Sequence, residues 1–162
     1  MQVTIGISPG SRHIGIAVIN NSELITWRVH TFKGISSSSK QAAITSTLQK
    51  LFASYKIKAV TVKIPDVFPE SVFFSQVLGI INILCEQKGK KAKYYTLSHI
   101  KRHHSSNEKV TKAALIAFLT NKYPELRREY KKEQQNRTRY YVRVFEAVAV
   151  GLCTGRGTYL PK

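Results

Sequence analysis

Arg143 and Glu146 stand three positions apart in R-V-F-E-A-V-A-V-G, and on a helix that spacing makes them neighbours on one face. The chain has only 9 acidic residues, so a carboxylate within reach of a guanidinium is a notable pairing. Two readings are open: an internal Arg-Glu pair that neutralises the acid, or an arginine that is simply exposed on a basic surface. His99, His103 and His104 have a spacing that permits metal binding, but Lys101 and Arg102 between them favour a phosphate-facing surface. No Ser-His-Asp arrangement can be assembled, because the chain's single aspartate, Asp66, lies beside Pro65. Ser8-Pro9-Gly10-Ser11 is too short for a nucleotide-cradling loop, and Gly10 belongs to a turn.

Charge points the same way. Lys and Arg number 26, giving a formal net charge of +17. Such self-repulsion is tolerated most naturally when the working partner is a polyanion, so nucleic acid is expected ahead of anionic lipid or a purely solubilising surface. Lys88 to His104 contains no acid at all. Arg127 to Arg143 carries seven bases against Glu129 and Glu133, with Tyr130, Tyr140 and Tyr141 interleaved. Aromatics among cations can stack on unpaired bases, although Tyr140 and Tyr141, at the start of an apolar helix, fit better as core.

The elements that must position these residues follow from periodicity. Val3 to Ile7 and Ile14 to Ile19 are β-branched runs about a Pro-Gly turn, the signature of a hairpin. Leu24 to Phe32 adds a third strand after Asn20-Asn21-Ser22. The serine run Ser36 to Ser39 ends as the N-cap of a helix whose stripe is Ile44, Leu48, Leu51, Phe52 and Tyr55. Ala59 to Ile64 is a fourth strand stopped by Pro65. Val72 to Leu84 is apolar nearly all round, which suits either a central core helix or half of a dimer interface through Phe73, Phe74, Val77 and Ile81. Lys91 to Leu97 is a fifth strand. A basic connection then leads to a helix over Val110 to Asn121 with Val110, Ala114, Ala117 and Phe118 inward. Pro124 restarts a polar helical stretch, and Arg139 to Cys153 is the closing helix. The expectation is one domain over residues 1–155 with a short tail, 156–162.

No apolar run approaches the roughly 20 residues that span a bilayer, and the first residues open a strand rather than a secretory signal. Cys85 and Cys153 read as buried free thiols, which suits a reducing compartment. A cytoplasmic, nucleoid-associated location is expected.

Three strands in a meander, then helix-strand-helix-strand and a terminal helix, is the element order of the ribonuclease H-like fold. The expected class is therefore α/β, with a five-stranded mixed sheet (three-strand antiparallel meander plus two parallel strands) flanked by helices. The opening I-G-I-S-P-G-S-R-H-I-G-I-A-V-I resembles the I-G-I-D-P-G-S-R-x-x-G-x-x-V of the RuvC family of Holliday junction resolvases. V-K-I-P-D-V-F, followed by Leu78-Gly79, is similar to that family's V-A-I-E-x-V-F. H-I-K-R-H-H-S-S-N-E-K-V-T-K-A resembles its V-K-x-x-x-x-G-x-G-x-A-x-K, and R-V-F-E-A-V-A-V-G-L-C its D-A-A-D-A-L-A-V-A. The motifs keep their order along essentially the whole chain, whereas YqgF-type relatives share the first of them.

The resemblance implies carboxylates at the ends of strands one and four and on the last helix, holding magnesium ions that activate water against a phosphodiester. At the matching positions this chain has Ser8, Pro65, Arg143 and Glu146, so one carboxylate of four survives. Asp66 is one place past the expected acid, and a one-residue step reverses side-chain direction. The basic half of the pattern persists: Arg12 keeps the turn arginine, and Lys101 and Lys112 fall on lysine positions, with Arg102 and Lys109 nearby. The resemblance thus implies a resolvase homologue that binds branched DNA through phosphate contacts without catalytic residues or a cofactor, and the apolar helix Val72 to Leu84 adds the expectation of a homodimer. The alternative is a divergent Mg2+-dependent endonuclease that recruits Asp66, Glu146 and Glu70.

Overall fold

The computed structural model describes residues 1–32, 36–67, 71–104, 110–136 and 139–153. Three strands open the chain: β1 (Gln2–Pro9), β2 (His13–Asn20) and β3 (Glu23–Thr31). β1 and β2 pair antiparallel with Ser8 opposite Gly15, and β2 pairs antiparallel with β3. The turn between β2 and β3 places Asn21 and Ser22 at positive φ (48° and 69°), conformations that asparagine tolerates better than most residues. Helix α1 (Ser37–Ser54) leads to β4 (Lys56–Ile64), which lies parallel to β1 on its other side. After α2 (Val72–Gln87), β5 (Lys93–Thr96) adds a further parallel strand, so the sheet order is β3-β2-β1-β4-β5. The rest is helical: α3 (Leu97–His104), α4 (Lys112–Lys122), a 3-10 turn at Pro124–Leu126, α5 (Arg127–Asn136) and α6 (Arg139–Gly151). The mixed sheet and flanking helices are those expected from the sequence.

Strand alternation divides the interior into two layers. Val3, Ile5, Ile7, Ile14, Ile16, Val60 and Val62 face α1 and α2, where Leu48, Phe52, Val77 and Ile81 complete a core. Ala17 and Ile19 face the other way, toward Leu115, Leu119, Phe145 and Val148 on α4 and α6. Full burial of each large apolar side chain contributes about 1.5–3 kcal/mol, so both layers hold the sheet between helices.

Several expectations are corrected. Ser36, at the start of the serine run, is the N-cap of α1, accepting from the Ser39 amide at 3.3 Å, and the other serines lie in the first turn. The basic connection after β5 is itself a helix, α3, because Thr96 accepts from the His99 amide and Asp66 from the Ser98 amide. On α4 the inward residues are Leu115, Ile116, Leu119 and Thr120, while Ala114 and Phe118 are exposed. The cause is local: Thr111 caps the helix, leaving Val110 outside it, and Leu115 with Leu119 bury more apolar area than alanines would. Of the four proposed interface residues, Phe74, Val77 and Ile81 are buried within this chain's own core, and Phe73 is half-buried. A core helix that packs against α1 and shares one buried cluster with the sheet residues explains why α2 is apolar on so many sides. Cys85 and Cys153 are both free and buried, with burial pushing each thiol up to about 12. Among the described residues no helix is long and apolar enough to cross a membrane. The 156–162 tail lies outside the described residues.

Candidate functional site

The site forms where the ends of β1 and β4 meet α6. Because Ile5 and Ile7 face α1 and α2, alternation turns Gly6 and Ser8 toward α6. β4 repeats the pattern: Val60, Val62 and Ile64 face the first layer, so Thr61 and Lys63 face α6. The parallel register sets Ile7 beside Val62, and one step on it sets Ser8 beside Lys63. Helix α6 can lie close over these strands because glycines sit beneath it. A Cβ on Gly6 would strike the Ala147 carbonyl, and one on Gly15 the Arg143 carbonyl.

Glu146 is the hub of the cluster, with its side chain only 4% exposed. Its Oε1 accepts from Ser8 Oγ at 3.1 Å and from Arg143 Nη1 at 3.3 Å. Its Oε2 lies 3.0 Å from Lys63 Nζ and 3.4 Å from Lys112 Nζ. Arg143 Nη1 also reaches the Pro9 carbonyl at 3.5 Å, while its Nε is buried without a partner. The guanidinium lies against Gly10, where a Cβ would come within 2.7 Å of Nη2; the turn glycine therefore makes room for the arginine. Of the two readings of Arg143, the internal pair is the one found.

Burial alone would raise the Glu146 carboxyl, but Lys63, Lys112 and Arg143 outweigh it and hold the group below its ordinary value. Lys63 is lowered first by burial; Glu146 opposes this, and Arg143 and Lys112 add to it. Three cations against one carboxylate leave a surplus of two positive charges. Two of the cations, Lys63 and Arg143, border a groove of about 310 Å³ whose other walls include Pro9, Gly10, Pro65 and Phe73.

These residues do not fit a magnesium-type ion, which is held by one or two uncommitted carboxylates together with waters and substrate phosphates. The oxygens offered are one hydroxyl and one carboxylate already committed to three cations, and Pro65 brings no side-chain oxygen. Asp66 does not join them. Its carboxylate accepts from the Ser98 amide at 3.2 Å and from the Ser98 hydroxyl at 2.8 Å, capping α3. Slight burial would raise Asp66, but the Ser98 and Thr96 hydrogen bonds and Lys101 hold it below its ordinary value. Glu70 and Lys109 lie outside the described residues. Arg12 and Arg102 are exposed, and Lys101 is half-buried.

Lys63 is the residue that sequence reasoning missed. Its signal was a lysine inside the apolar strand run V-T-V-K-I-P, on the same face as Pro65. Buried lysines are rare unless paired, and the partner here is 83 positions away (63 to 146).

A mixed sheet in this order, with a cluster at the ends of β1 and β4 beneath the last helix, is the ribonuclease H-like architecture. The family profile described as "Crossover junction endodeoxyribonuclease RuvC" matches residues 4–134, and the chain belongs to that family. The match stops short of α6, the helix carrying Arg143 and Glu146. Among solved structures, the chain is similar to Thermus thermophilus RuvC, with TM-score 0.73 and 14% identity over 93% of this chain and 92% of that one. It is equally similar to T. thermophilus RuvC in complex with Holliday junction substrate, with TM-score 0.73 and 15% identity over 94% and 92% of the two chains. A search of curated protein sequences finds no match.

Proposed function

We propose that this chain is a resolvase-like DNA-binding protein that holds the phosphate backbone of branched DNA at the β1–β4 groove without a divalent ion and without cutting it. The observation that carries the reading is the saturation of Glu146 by Lys63, Arg143 and Lys112. A single carboxylate so engaged has no charge to spare for a metal. The surplus positive charge at the groove attracts phosphate directly, as basic side chains do in sequence-independent DNA binding. Branched DNA is the favoured ligand because the similar RuvC of T. thermophilus is found in complex with a Holliday junction substrate. Arg12, Lys101, Arg102, Lys109 and Lys112 are the proposed backbone contacts, and a nucleoid-associated location follows from such binding.

The protein is further proposed to work as a homodimer through the outer stripe of α2. Val72 and Ile83 are exposed there, and Gly79 between them has open space beside it. Ile83→Glu would then leave a monomer by light scattering.

The test is a gel-shift and cleavage assay on a four-way junction and a matched duplex, with Mg2+ or Mn2+. The expected result is preferential junction binding that needs no divalent ion, with the junction left intact. Cutting that is lost in an Asp66→Asn, Glu146→Gln double variant shown by circular dichroism to remain folded would establish the divergent endonuclease instead. Equal, weak binding of all DNA forms would refute the preference for branched DNA.

A further inference from the structure

Helix α3 poses a physical problem that the DNA-binding reading leaves open. It has 8 residues, buries only Ile100, and its last turn is Lys101, Arg102, His103 and His104. A helix this short is marginal without tertiary anchors. Where it ends, against the C-terminal turn of α6, three ligand-type side chains converge. One ligand atom each from His103, His104 and Cys153 lie within 4.8 Å of one another.

We propose that His103, His104 and Cys153 bind a zinc-type transition-metal ion that pins the end of α3 to the end of α6. Two imidazoles and a thiolate are the donors that select such an ion over magnesium or calcium. The second observation is the outer partner. His104 Nε2 lies 2.9 Å from the Ala149 carbonyl, and a carbonyl can only accept, so the ring proton is on Nε2. The neutral ring therefore keeps Nδ1 bare for coordination. Metal-binding histidines are commonly fixed in this way by a backbone carbonyl. In the metal-free chain the same carbonyl accepts from Cys153 Sγ at 3.5 Å, which holds the sulfur near His104 until the thiolate forms and that bond is given up.

The Cys153 thiol loses its proton to solvent as the sulfur–metal bond forms, so charge and atoms balance without a redox partner. His103 is exposed, which leaves the fourth position open to water. Ala149 lies three residues along α6 from Glu146, and Cys153 four further on. The ion would thus brace the helix that carries Lys101 and Arg102 next to the Glu146 cluster. The inference stands on these three ligands and does not depend on what the groove binds.

The experiment uses the full chain without a polyhistidine tag, stripped with chelator and titrated with Co2+ as an optical probe and then with Zn2+. Tetrahedral cobalt absorption with a thiolate charge-transfer band, saturating at one ion per chain and displaced by Zn2+, is expected. Cys153→Ser should remove the charge-transfer band and Cys85→Ser should retain it. His103→Ala alters an exposed side chain, so the fold is kept, and should weaken cobalt binding by at least about tenfold. Absent bands in folded protein, a charge-transfer band that survives Cys153→Ser, or unchanged affinity in His103→Ala would each overturn the site.

Discussion

Glu146→Gln is the sharpest perturbation of the buried cluster. Glutamine keeps the volume and an acceptor for Ser8, so neither a cavity nor an orphaned hydroxyl confuses the result. What disappears is, among the described residues, the only negative charge paired with Lys63 and Arg143, whose side chains are 11% and 14% exposed. Removing one partner of a buried ion pair costs about 3–5 kcal/mol. The lower end applies, because Lys112 is 41% exposed and its contact is screened by solvent. A loss of about 3 kcal/mol corresponds to a fall in Tm of about 6–12 °C for a chain of this size. Urea unfolding followed by the fluorescence of Trp27, the single tryptophan, measures it directly. The pH dependence adds a second check. Lys63 is lowered in the folded protein below its ordinary 10.5, so unfolding takes up a proton between the two values and stability rises with pH through that window. Without Glu146 to oppose it, Lys63 falls further and the window widens. The deficit should therefore be largest near pH 7 and shrink as the pH climbs toward 10.5. Adding Lys63→Met should recover much of the loss, since a buried pair can be replaced by apolar groups at little cost. A deficit below about 1 kcal/mol at neutral pH, or one flat with pH, would refute a stabilising role for the cluster.

Other expectations follow from the same geometry. The folded Glu146 carboxyl sits below its ordinary 4.5, so its stability is present above that value and lost as pH falls through the lower one; Glu146→Gln should flatten that acid limb in an unfolding titration. Gly15→Ala drives a Cβ into the Arg143 carbonyl and should cost about 1–3 kcal/mol or prevent folding, read by circular dichroism. Leu119→Ala should cost about 2–5 kcal/mol, whereas Phe118→Ala, at a residue 46% exposed, should stay within about 0.5 kcal/mol, which checks the orientation of α4 by denaturant melts. Lys112→Ala should weaken binding to junction and duplex alike and reduce the slope of log affinity against log salt by about 1.

The residues most legible in the sequence were those whose structure depends on near neighbours. The hairpin around Pro9-Gly10, the third strand and α6 followed from periodicity and turn chemistry, because strand alternation and helix spacing are local properties of the chain. Arg143 with Glu146 was legible for the same reason, being one helical turn apart. The face of α4 was misjudged because an alanine-rich helix has no decisive apolar stripe, and its orientation comes from what Leu115 and Leu119 meet on α6 and the 3-10 turn. α3 was hidden in a basic run because its first turn is capped by Asp66, 32 residues earlier.

By itself, then, the sequence determined the order of the five strands and of every long helix, the excess of basic residues and the loss of acids at Ser8, Pro65 and Arg143. Only the tertiary structure decided what replaced them. Lys63 enters the site through the parallel register of β4 on β1, and Lys112 through the docking of α4. Glu146 meets both because glycines let α6 lie against the sheet. Those contacts join residues far apart in the chain, and burial makes their charges strong enough to matter, so no local pattern in the sequence encodes them.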